Sequence, residues 1–278
     1  MTNLSVECNV CSGRNFKIIQ ESRMSYEILE CLNCGLVFVE PQPQSTDLCS
    51  HYGNNYFEPW IHPKIKSRRE KIFKKRWEKV KSYVKQKGTL LDIGCGCGEF
   101  LYFAKEDGWS VYGTEISNFS SNYISKMYRI DTISIGNLED ISYPSGFFDV
   151  ITIWHVLEHL TNPRRTLKEV SRIIKKNGLL VIAVPNFKSY IYKFIYKIIK
   201  GKDVEIFESD MRELHLYHFN QSNIKILLNR VGFEIINETV DLGMTDFRFK
   251  LLNILALLIF NLTELNYGTA IEIVARKL

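Results

Sequence analysis

From residue 89 onward, short apolar runs alternate with amphipathic stretches of helical period. We predict strands at seven apolar runs: Leu90–Ile93, Ser110–Thr114, Thr132–Ile135, Val150–Trp154, Leu179–Val184, Glu234–Glu238 and Ala270–Ala275. Helices are predicted between them, for example over residues 164–176 and 221–231. The alternation indicates an α/β fold, a doubly wound and mostly parallel seven-stranded sheet with helices on both faces. Ligands bind such sheets at the carboxyl ends of the strands.

The N-terminal part follows a different pattern, two C-x-x-C pairs separated by a strand-rich stretch. Two such turns can present four thiolates to one tetrahedral ion, and they leave no coordination position open. We therefore predict a small zinc ribbon over residues 1–43, with a structural zinc ion on Cys8, Cys11, Cys31 and Cys34. Four free thiols or two disulfides are the alternatives. Cys49, Cys95 and Cys97 have no partner at ligand spacing and are predicted to pack as small residues.

Residues 44–88 are predicted to form an aromatic link and a basic helix. Phe73, Trp77, Val80 and Val84 make an apolar stripe within residues 64–87. This segment carries twelve Lys and Arg against two Glu, so it is either the solvated face of a helix that covers the sheet or a surface for RNA. The apolar run 251–262 is too short to span a bilayer and is predicted to be a buried helix.

Composition limits the class of protein. Of the 278 residues, 45% are hydrophobic and 24% charged, with a net charge of +5, values that are ordinary for a globular protein. The N-terminus lacks the basic start and apolar stretch of a signal peptide. Cysteines paired at metal-ligand spacing fit a reducing compartment. We therefore expect a cytoplasmic protein whose contact with a membrane is at most peripheral.

The most informative segment is Leu-Leu-Asp-Ile-Gly-Cys-Gly-Cys-Gly at residues 90–98. A strand leads into alternating glycines and then into a helix, which lets a ligand approach bare backbone. Glu115 follows the next predicted strand, where a carboxylate can bind a ribose diol. Strand, glycines, helix and acid in this order predict a nucleotide-type cofactor site.

The spacing D-x-G-x-G-x-G resembles the first motif of class I S-adenosylmethionine-dependent methyltransferases. The resemblance implies a Rossmann-like fold over residues 89–278, an antiparallel last strand, an acceptor insertion or lid at 185–222, and S-adenosyl-L-methionine as cofactor. It also implies that the glycine loop passes under the methionine part and that Glu115 binds both ribose hydroxyls. Asn137 stands where the family usually has an adenine-binding acid, with the Leu138 N–H facing the ring. The implied cofactor-binding residues are Asp92, Gly94, Cys95, Gly96, Gly98, Glu115, Asn137, Leu138 and Trp154.

Two histidine-rich segments are candidates for the chemistry. Trp-His-Val-Leu-Glu-His follows strand four and should border the methyl group, and Glu-Leu-His-Leu-Tyr-His lies where the family builds its acceptor pocket. We expect both to face one cavity, because an imidazole can take the acceptor proton and a carboxylate can orient it. The candidate catalytic residues are His155, Glu158, His159, His215 and His218. A metal trio in H-x-x-E-H is disfavoured, since methyl transfer needs no metal and no distant third ligand is obvious.

The whole pattern, with C-x-x-C-G-L-V-F, W-H-V-L-E-H-L and H-L-Y-H-F, resembles a bacterial group of zinc-ribbon methyltransferases of cell-surface and natural-product pathways. It implies transfer to oxygen, less often carbon, of a small acceptor such as a sugar or lipid-linked sugar. Residues 188–200 alternate Lys with Tyr and Ile and could lie on an anionic membrane or close the acceptor pocket as a lid. An RNA methyltransferase and an inactive scaffold are the alternatives.

Overall fold

The computed structural model describes residues 6–21, 26–44, 48, 51–204, 206–207, 213–243 and 250–278; the packing expected of Cys49 lies outside them. The described strands are Phe16–Glu21 (β1), Glu27–Cys31 (β2), Val37–Glu40 (β3), Thr89–Ile93 (β4), Ser110–Glu115 (β5), Ile133–Ile135 (β6), Phe148–Trp154 (β7), Ile174–Pro185 (β8), Tyr217–His218 (β9), Phe233–Val240 (β10) and Ala270–Lys277 (β11). The α-helices are Asn54–Phe57 (α1), Pro63–Lys81 (α2), Glu99–Glu106 (α3), Asn118–Tyr128 (α4), Pro163–Ile173 (α5), Tyr190–Lys200 (α6), Gln221–Arg230 (α7) and Lys250–Thr263 (α8).

The strands form two sheets. Seven of them make one sheet in the order β10-β11-β8-β7-β4-β5-β6, in which β4 runs parallel to β5 and β7, and β5 parallel to β6. The other sheet has the order β1-β2-β3-β9 and is antiparallel throughout. The predicted α/β class with a mostly parallel seven-stranded sheet and antiparallel end strands is confirmed.

All seven predicted strands are present, but element ends differ from the prediction. The basic helix ends at Lys81 instead of continuing to residue 87, so Val84 of the predicted stripe lies beyond it. The helix predicted over 164–176 ends at Ile173, because Ile174 already begins β8. The pattern of apolar residues predicts where a helix or strand lies. A Lys-rich helix end has no such pattern, so the sequence does not predict the residue at which the helix stops.

Contacts divide the chain into two compact units that do not follow the predicted domain boundaries. The first unit contains residues 1–42, 155–164 and 183–273, and therefore both C-x-x-C pairs and both histidine segments. The second unit contains residues 43–154, 165–182 and 274–278, and therefore the glycine loop, Glu115 and Trp154. The predicted cofactor residues thus belong to one unit and the predicted catalytic residues to the other.

The prediction of a buried helix over residues 251–262 is correct for the helix and wrong for its burial. The helix forms, as α8, but large apolar side chains on it are exposed: Leu251 at 78%, Leu255 at 51%, Leu258 at 56% and Leu262 at 86%. The buried positions of α8 are instead Asn253 and Ala256. Hydrophobicity predicted the helix correctly but not its exposure. Within the described residues, no helix is long and apolar enough to cross a membrane.

A tight contact behind the glycine loop gives a test of the fold. Gly98 has φ +81°, and a Cβ built there would lie 2.8 Å from Cγ1 of Ile124. Gly146 has φ +61° with nothing within 4 Å, so it isolates the cost of the left-handed backbone. We expect Gly98→Ala to lower the free energy of unfolding by about 2 kcal/mol more than Gly146→Ala, because only the former adds a steric clash.

Urea unfolding followed by tryptophan fluorescence would measure this difference. Equal destabilisation by the two substitutions would contradict the packing of the loop on α4.

Candidate active site

The glycine loop is a left-handed turn between β4 and α3. Gly94, Gly96 and Gly98 all have positive φ, at 64°, 54° and 81°. The Cys95 N–H donates to the Thr114 carbonyl at 3.1 Å, which ties the loop to the end of β5. Cys95 and Cys97 are buried, as predicted for packing residues. The turn therefore places glycine at three positions whose left-handed conformation other residues adopt only with strain.

Glu115, at the end of β5, is held in place by backbone donors. Its Oε2 accepts from the Gly96 N–H at 3.0 Å, and its Oε1 accepts from the N–H groups of Ile116 at 2.9 Å and Ser117 at 3.2 Å. The side chain is buried, and this burial raises its pKa to about 7 against the effect of the three bonds. A buried carboxylate that is already oriented, with acceptor capacity left on Oε2, is suited to bind a hydroxyl-bearing ligand.

Asp92 lies inside the sheet, directly opposite Thr152 of β7. The Thr152 hydroxyl donates to its Oδ1 at 2.6 Å. Burial raises the Asp92 pKa to about 7, although the bond from Thr152 opposes this. The carboxyl group thus has a partner beneath the glycine loop, where it supports the start of the turn.

An ion pair that the sequence analysis missed lies beside the loop. Arg69 of α2 donates to both carboxylate oxygens of Glu99, at 2.7 and 3.0 Å, and both residues are buried. The guanidinium also stacks on Trp60, 4.3 Å from the ring centroid, and a Cβ on Gly96 would lie 3.6 Å from its Nη2. At least one cation of the basic helix therefore faces the protein interior. The mixture of Lys and Arg along this helix was a signal for it, because Arg is the residue that forms buried bidentate ion pairs.

The other predicted cofactor residues occupy the ends of β6 and β7. Asn137 is exposed, and its Nδ2 donates to Asp140 at 3.4 Å, whereas Leu138 beside it is buried. Trp154 is buried between Phe100 and Arg76, whose guanidinium lies 4.4 Å from a Trp154 ring centroid. These positions agree with the expected strand ends, at the edge where ligands bind such sheets.

In the first unit, the four ribbon thiols converge. The Sγ atoms of Cys8 and Cys34 lie 3.6 Å apart and those of Cys11 and Cys31 lie 3.5 Å apart, so neither pair is a disulfide. All four lie within 4.8 Å of one another. A tetrahedral zinc ion with Zn–S bonds of about 2.3 Å needs sulfurs about 3.8 Å apart. Backbone N–H groups of Val10 and Gly13 point at two of the thiols, as expected around a metal knuckle.

The ribbon is bonded to the chain that follows β7. Arg164 donates to the carbonyls of Asn9, at 2.7 Å, and of Cys8. The Tyr217 hydroxyl accepts from Asn9 Nδ2 at 2.9 Å and donates to the Thr161 carbonyl at 3.0 Å. The first C-x-x-C pair is therefore held by Tyr217 of the second histidine segment and by Arg164, which follows the first histidine segment.

The two histidine segments meet. The imidazole centroids of His159 and His215 lie 4.9 Å apart. His159 Nδ1 donates to the Leu214 carbonyl at 2.8 Å, so the neutral ring carries its lone pair on Nε2. Nε2 lies 3.9 Å from carboxylate oxygens of both Glu158 and Glu213. The structure therefore brings the two segments together, whereas the cavity that both are expected to face stays a prediction.

His155 differs from the other candidates. Its Nε2 lies 2.8 Å from Asp241 Oδ2, and its Nδ1 lies 3.6 Å from Glu158 Oε1. Burial lowers its pKa, but the hydrogen bond to Asp241 and the negative charges of both carboxylates outweigh this and raise the pKa to about 9. A group whose pKa is raised in this way is protonated at neutral pH, so His155 is an imidazolium that cannot accept a proton there. Asp241, which the sequence analysis missed, is its main partner.

His215 and His218 are the neutral imidazoles. Burial and the neighbouring His159 lower the His215 pKa to about 4, and burial lowers the His218 pKa to about 3. His218 pairs with Val37 across β9 and β3, and its ring lies 5.3 Å from that of Phe187. Its Nε2 has no hydrogen-bond partner among the described residues. The segment thus supplies two uncharged imidazoles in buried surroundings.

The chain belongs to a methyltransferase family. The family model described as "Methyltransferase domain" matches residues 65–238, more than half of the chain. This match, together with curated relatives that are methyltransferases, identifies the protein as an enzyme, an S-adenosylmethionine-dependent methyltransferase.

Curated relatives are distant. An uncharacterised protein of Methanocaldococcus jannaschii is 23% identical over 216 residues, which cover 68% of this chain and 83% of that protein. A ubiquinone biosynthesis O-methyltransferase of Coxiella burnetii is 28% identical over 41% of this chain, and the match spans only 53% of its length. A probable S-adenosylmethionine-dependent methyltransferase of Mycolicibacterium smegmatis is 24% identical, with 52% of each chain covered.

Solved structures share the fold. Magnesium protoporphyrin IX methyltransferase from Synechocystis, solved with bound S-adenosylhomocysteine, superposes with a TM-score of 0.58 at 15% identity, covering 84% of this chain and all of that one. A possible histamine N-methyltransferase from Thermotoga maritima gives 0.54 at 18% identity with the same coverage. At these identities the likeness concerns the fold alone.

Proposed function

We propose that this methyltransferase transfers the methyl group of S-adenosylmethionine to a hydroxyl oxygen of a small acceptor, a sugar or lipid-linked sugar. The observation that carries this proposal is the cluster of Glu158, His159 and His215, a buried carboxylate beside two imidazoles that the fold brings together from distant segments. A hydroxyl acceptor must lose a proton during methyl transfer, and a carboxylate or a neutral imidazole can take that proton.

For the cofactor, we propose that the glycine loop and Glu115 bind its methionine and ribose parts. The bound cofactor supplies an electrophilic methyl group on a sulfonium. The buried Glu115 carboxylate fits this role, because a diol that donates to Oε2 offsets the cost of its burial. Asn137 can accept from the adenine amino group through its amide oxygen, since its Nδ2 is the atom that contacts Asp140.

For the acceptor, we assign activation of the hydroxyl to Glu158, His159 and His215. His155 is not the base in this proposal, because its flanking carboxylates keep it protonated. It acts instead as a positioning residue that holds the Glu158 turn against Asp241. His218 lies next to the cluster, 6.2 Å from His215 between ring centroids, and would border the acceptor.

A lipid-linked acceptor is favoured by two exposed apolar helices of the first unit. On α6 the exposed side chains Tyr190, Phe194 and Ile198 recur every fourth residue, with Lys193 and Lys197 at the same spacing beside them. The segment after α8 is bonded to the start of α6, through Ser189 Oγ and the Tyr267 carbonyl. We propose that these helices lie on an anionic bilayer, which apolar faces flanked by lysines bind.

We further propose that the four ribbon thiols hold one structural zinc ion. Their spacing fits a tetrahedral site, and four protein ligands leave no position for substrate. The ion would stabilise a ribbon too small to form a sufficient core of its own.

The first test concerns the acceptor. Labelled S-adenosylmethionine is incubated with the protein and fractionated cell extract, and label is followed into lipid, sugar and RNA fractions. We expect label in lipid-linked sugar, and reduced labelling by a Phe194→Ser, Ile198→Ser variant that binds S-adenosylhomocysteine normally. His159→Ala should lower turnover by about a hundredfold with unchanged cofactor affinity.

Label in RNA would contradict this proposal and favour the basic helix as an RNA surface. Label confined to water-soluble sugars would contradict the lipid-linked acceptor and the role of the two helices.

The second test concerns Glu115. Its raised pKa means that the carboxyl is protonated below about pH 7 and ionised above it. The ionised form accepts hydrogen bonds from a diol, so affinity for S-adenosylhomocysteine should rise from pH 6 to pH 8, by at most about tenfold per pH unit. Glu115→Gln should weaken binding about tenfold at pH 8 and flatten this dependence. Calorimetry measures both.

Asp131→Asn, at an exposed acid, is the control and should behave as wild type. Wild-type affinity in Glu115→Gln, or binding of NADH in place of the methyl cofactor, would contradict the assignment.

The third test concerns the zinc ion. Cys31→Ser removes one thiolate and should release the metal, since three thiolates bind zinc far less tightly than four. Cys97→Ser, at a buried cysteine outside the cluster, should keep it. Elemental analysis should find one zinc ion fewer in Cys31→Ser than in wild type. Equal zinc in all three proteins would contradict the site.

A further inference from the structure

Within the residues that the structure describes, one group besides the ribbon thiols has the geometry of a metal site. Single donor atoms of Glu158, His159 and His215 lie within 4.8 Å of one another. Two of these residues come from the short helical turn Leu157–His159, and the third precedes β9. The Leu216 N–H donates to the Glu158 carbonyl at 2.8 Å, which fixes the two segments in this register.

The Glu158 carboxylate lacks the partners that its burial requires. Its side chain is 1% exposed, and neither oxygen has a hydrogen bond from any described residue. The nearest nitrogens, His155 Nδ1 at 3.6 Å and His159 Nε2 at 3.9 Å, are beyond hydrogen-bond distance. Burying a carboxylate in this way is costly unless a cation compensates it. The His155 imidazolium offsets part of this cost without donating to either oxygen, so both oxygens keep lone pairs with which they can bind a cation.

The His159 ring is oriented as metal-bound histidines are. Its Nδ1–H donates to the Leu214 carbonyl at 2.8 Å, and its Nε2 lies 3.9 Å from a carboxylate oxygen of Glu158 and 3.9 Å from one of Glu213. A backbone carbonyl on the far nitrogen is the usual outer contact of a ligating imidazole. The hydrogen bond to Leu214 keeps a proton on Nδ1 of His159, so Nε2 is the nitrogen that can bind a metal ion.

We propose that Glu158, His159 and His215 bind a divalent transition-metal ion, distinct from the zinc ion of the ribbon. Two imidazoles and one carboxylate suit Zn²⁺, Fe²⁺ or Mn²⁺ better than Mg²⁺ or Ca²⁺, which prefer all-oxygen sites. The structure replaces the trio considered from sequence, because His155 is engaged by Asp241 at 2.8 Å and His215 takes its place.

Three protein ligands leave coordination positions open. A hydroxyl of the acceptor held at one of them would be more acidic, and its proton would pass to the Glu213 carboxylate. Its oxygen would form a bond to the methyl carbon while the bond from that carbon to the cofactor sulfur breaks, with S-adenosylhomocysteine as the leaving group. Glu213 is suited to this, since its side chain is 45% exposed and its Oε2 lies 3.9 Å from His159 Nε2. This role rests on the proposed function, whereas metal binding itself does not.

The experiment uses Mn²⁺, which avoids thiolate sites and therefore reports on the cluster alone. The full-length protein, with its ribbon metal in place, is titrated with Mn²⁺ and free ion is followed by electron paramagnetic resonance. We expect one bound ion, with at least tenfold weaker binding in Glu158→Gln and in His215→Asn. His218→Asn, at an adjacent half-buried histidine outside the ligand set, should bind Mn²⁺ as wild type does.

Spin-echo modulation from imidazole nitrogens on the wild-type Mn²⁺ complex tests the ligands without any variant. Absence of bound Mn²⁺, absence of nitrogen couplings, or equal binding in Glu158→Gln would overturn the proposal. If the protein transfers methyl groups but does not bind Mn²⁺ as expected, only the metal-site proposal is wrong. If the ion binds and no hydroxyl acceptor is methylated, the proposed function is wrong and the site stands.

Discussion

In the first unit, the backbone N–H and carbonyl of Leu216 bond to two separate segments of the chain. The Leu216 N–H donates to the Glu158 carbonyl at 2.8 Å, and the Leu216 carbonyl accepts from the Val39 N–H at 3.0 Å. Leu216 itself is fully buried. Because both its backbone groups are used, the residue fixes the ribbon sheet and the H-x-x-E-H turn to the same short segment. The neighbours of Leu216 in sequence, His215 and Tyr217, are placed by the same two bonds.

The second unit depends on an analogous use of backbone donors. Glu115 accepts three N–H bonds, one of them from the glycine loop, so the loop and the carboxylate define each other's position. The Arg69–Glu99 pair secures the helix that starts from this loop. Main-chain donors therefore position the Glu115 carboxylate. In the first unit the main-chain bond holds only the backbone of Glu158, and its buried carboxylate has no hydrogen bond from described residues.

Sequence reasoning reached the fold because the relevant signals are local. A five-residue apolar strand such as β4, followed by three glycines and an acid, carries its own evidence. The two C-x-x-C pairs likewise predicted the convergence of their thiols. The sequence indicated that the segments of Glu158 and His215 face one cavity, but not that these two residues are partners, because the bond from the Leu216 N–H to the Glu158 carbonyl sets that pairing. The inward turn of Arg69 and the exposure of Leu251 depend on what packs against each helix, which periodicity does not report.

The attachment of Arg164 to the first knuckle has an evolutionary consequence. Its guanidinium is bonded to the carbonyls of Cys8 and Asn9, and β3 covers the edge of β9. A descendant that lost the first 43 residues would leave that arginine without its acceptors and β9 as a bare strand edge, free to pair with other chains. The N-terminal segment therefore cannot be treated as a detachable accessory, and gene fusions or deletions at this junction should be rare.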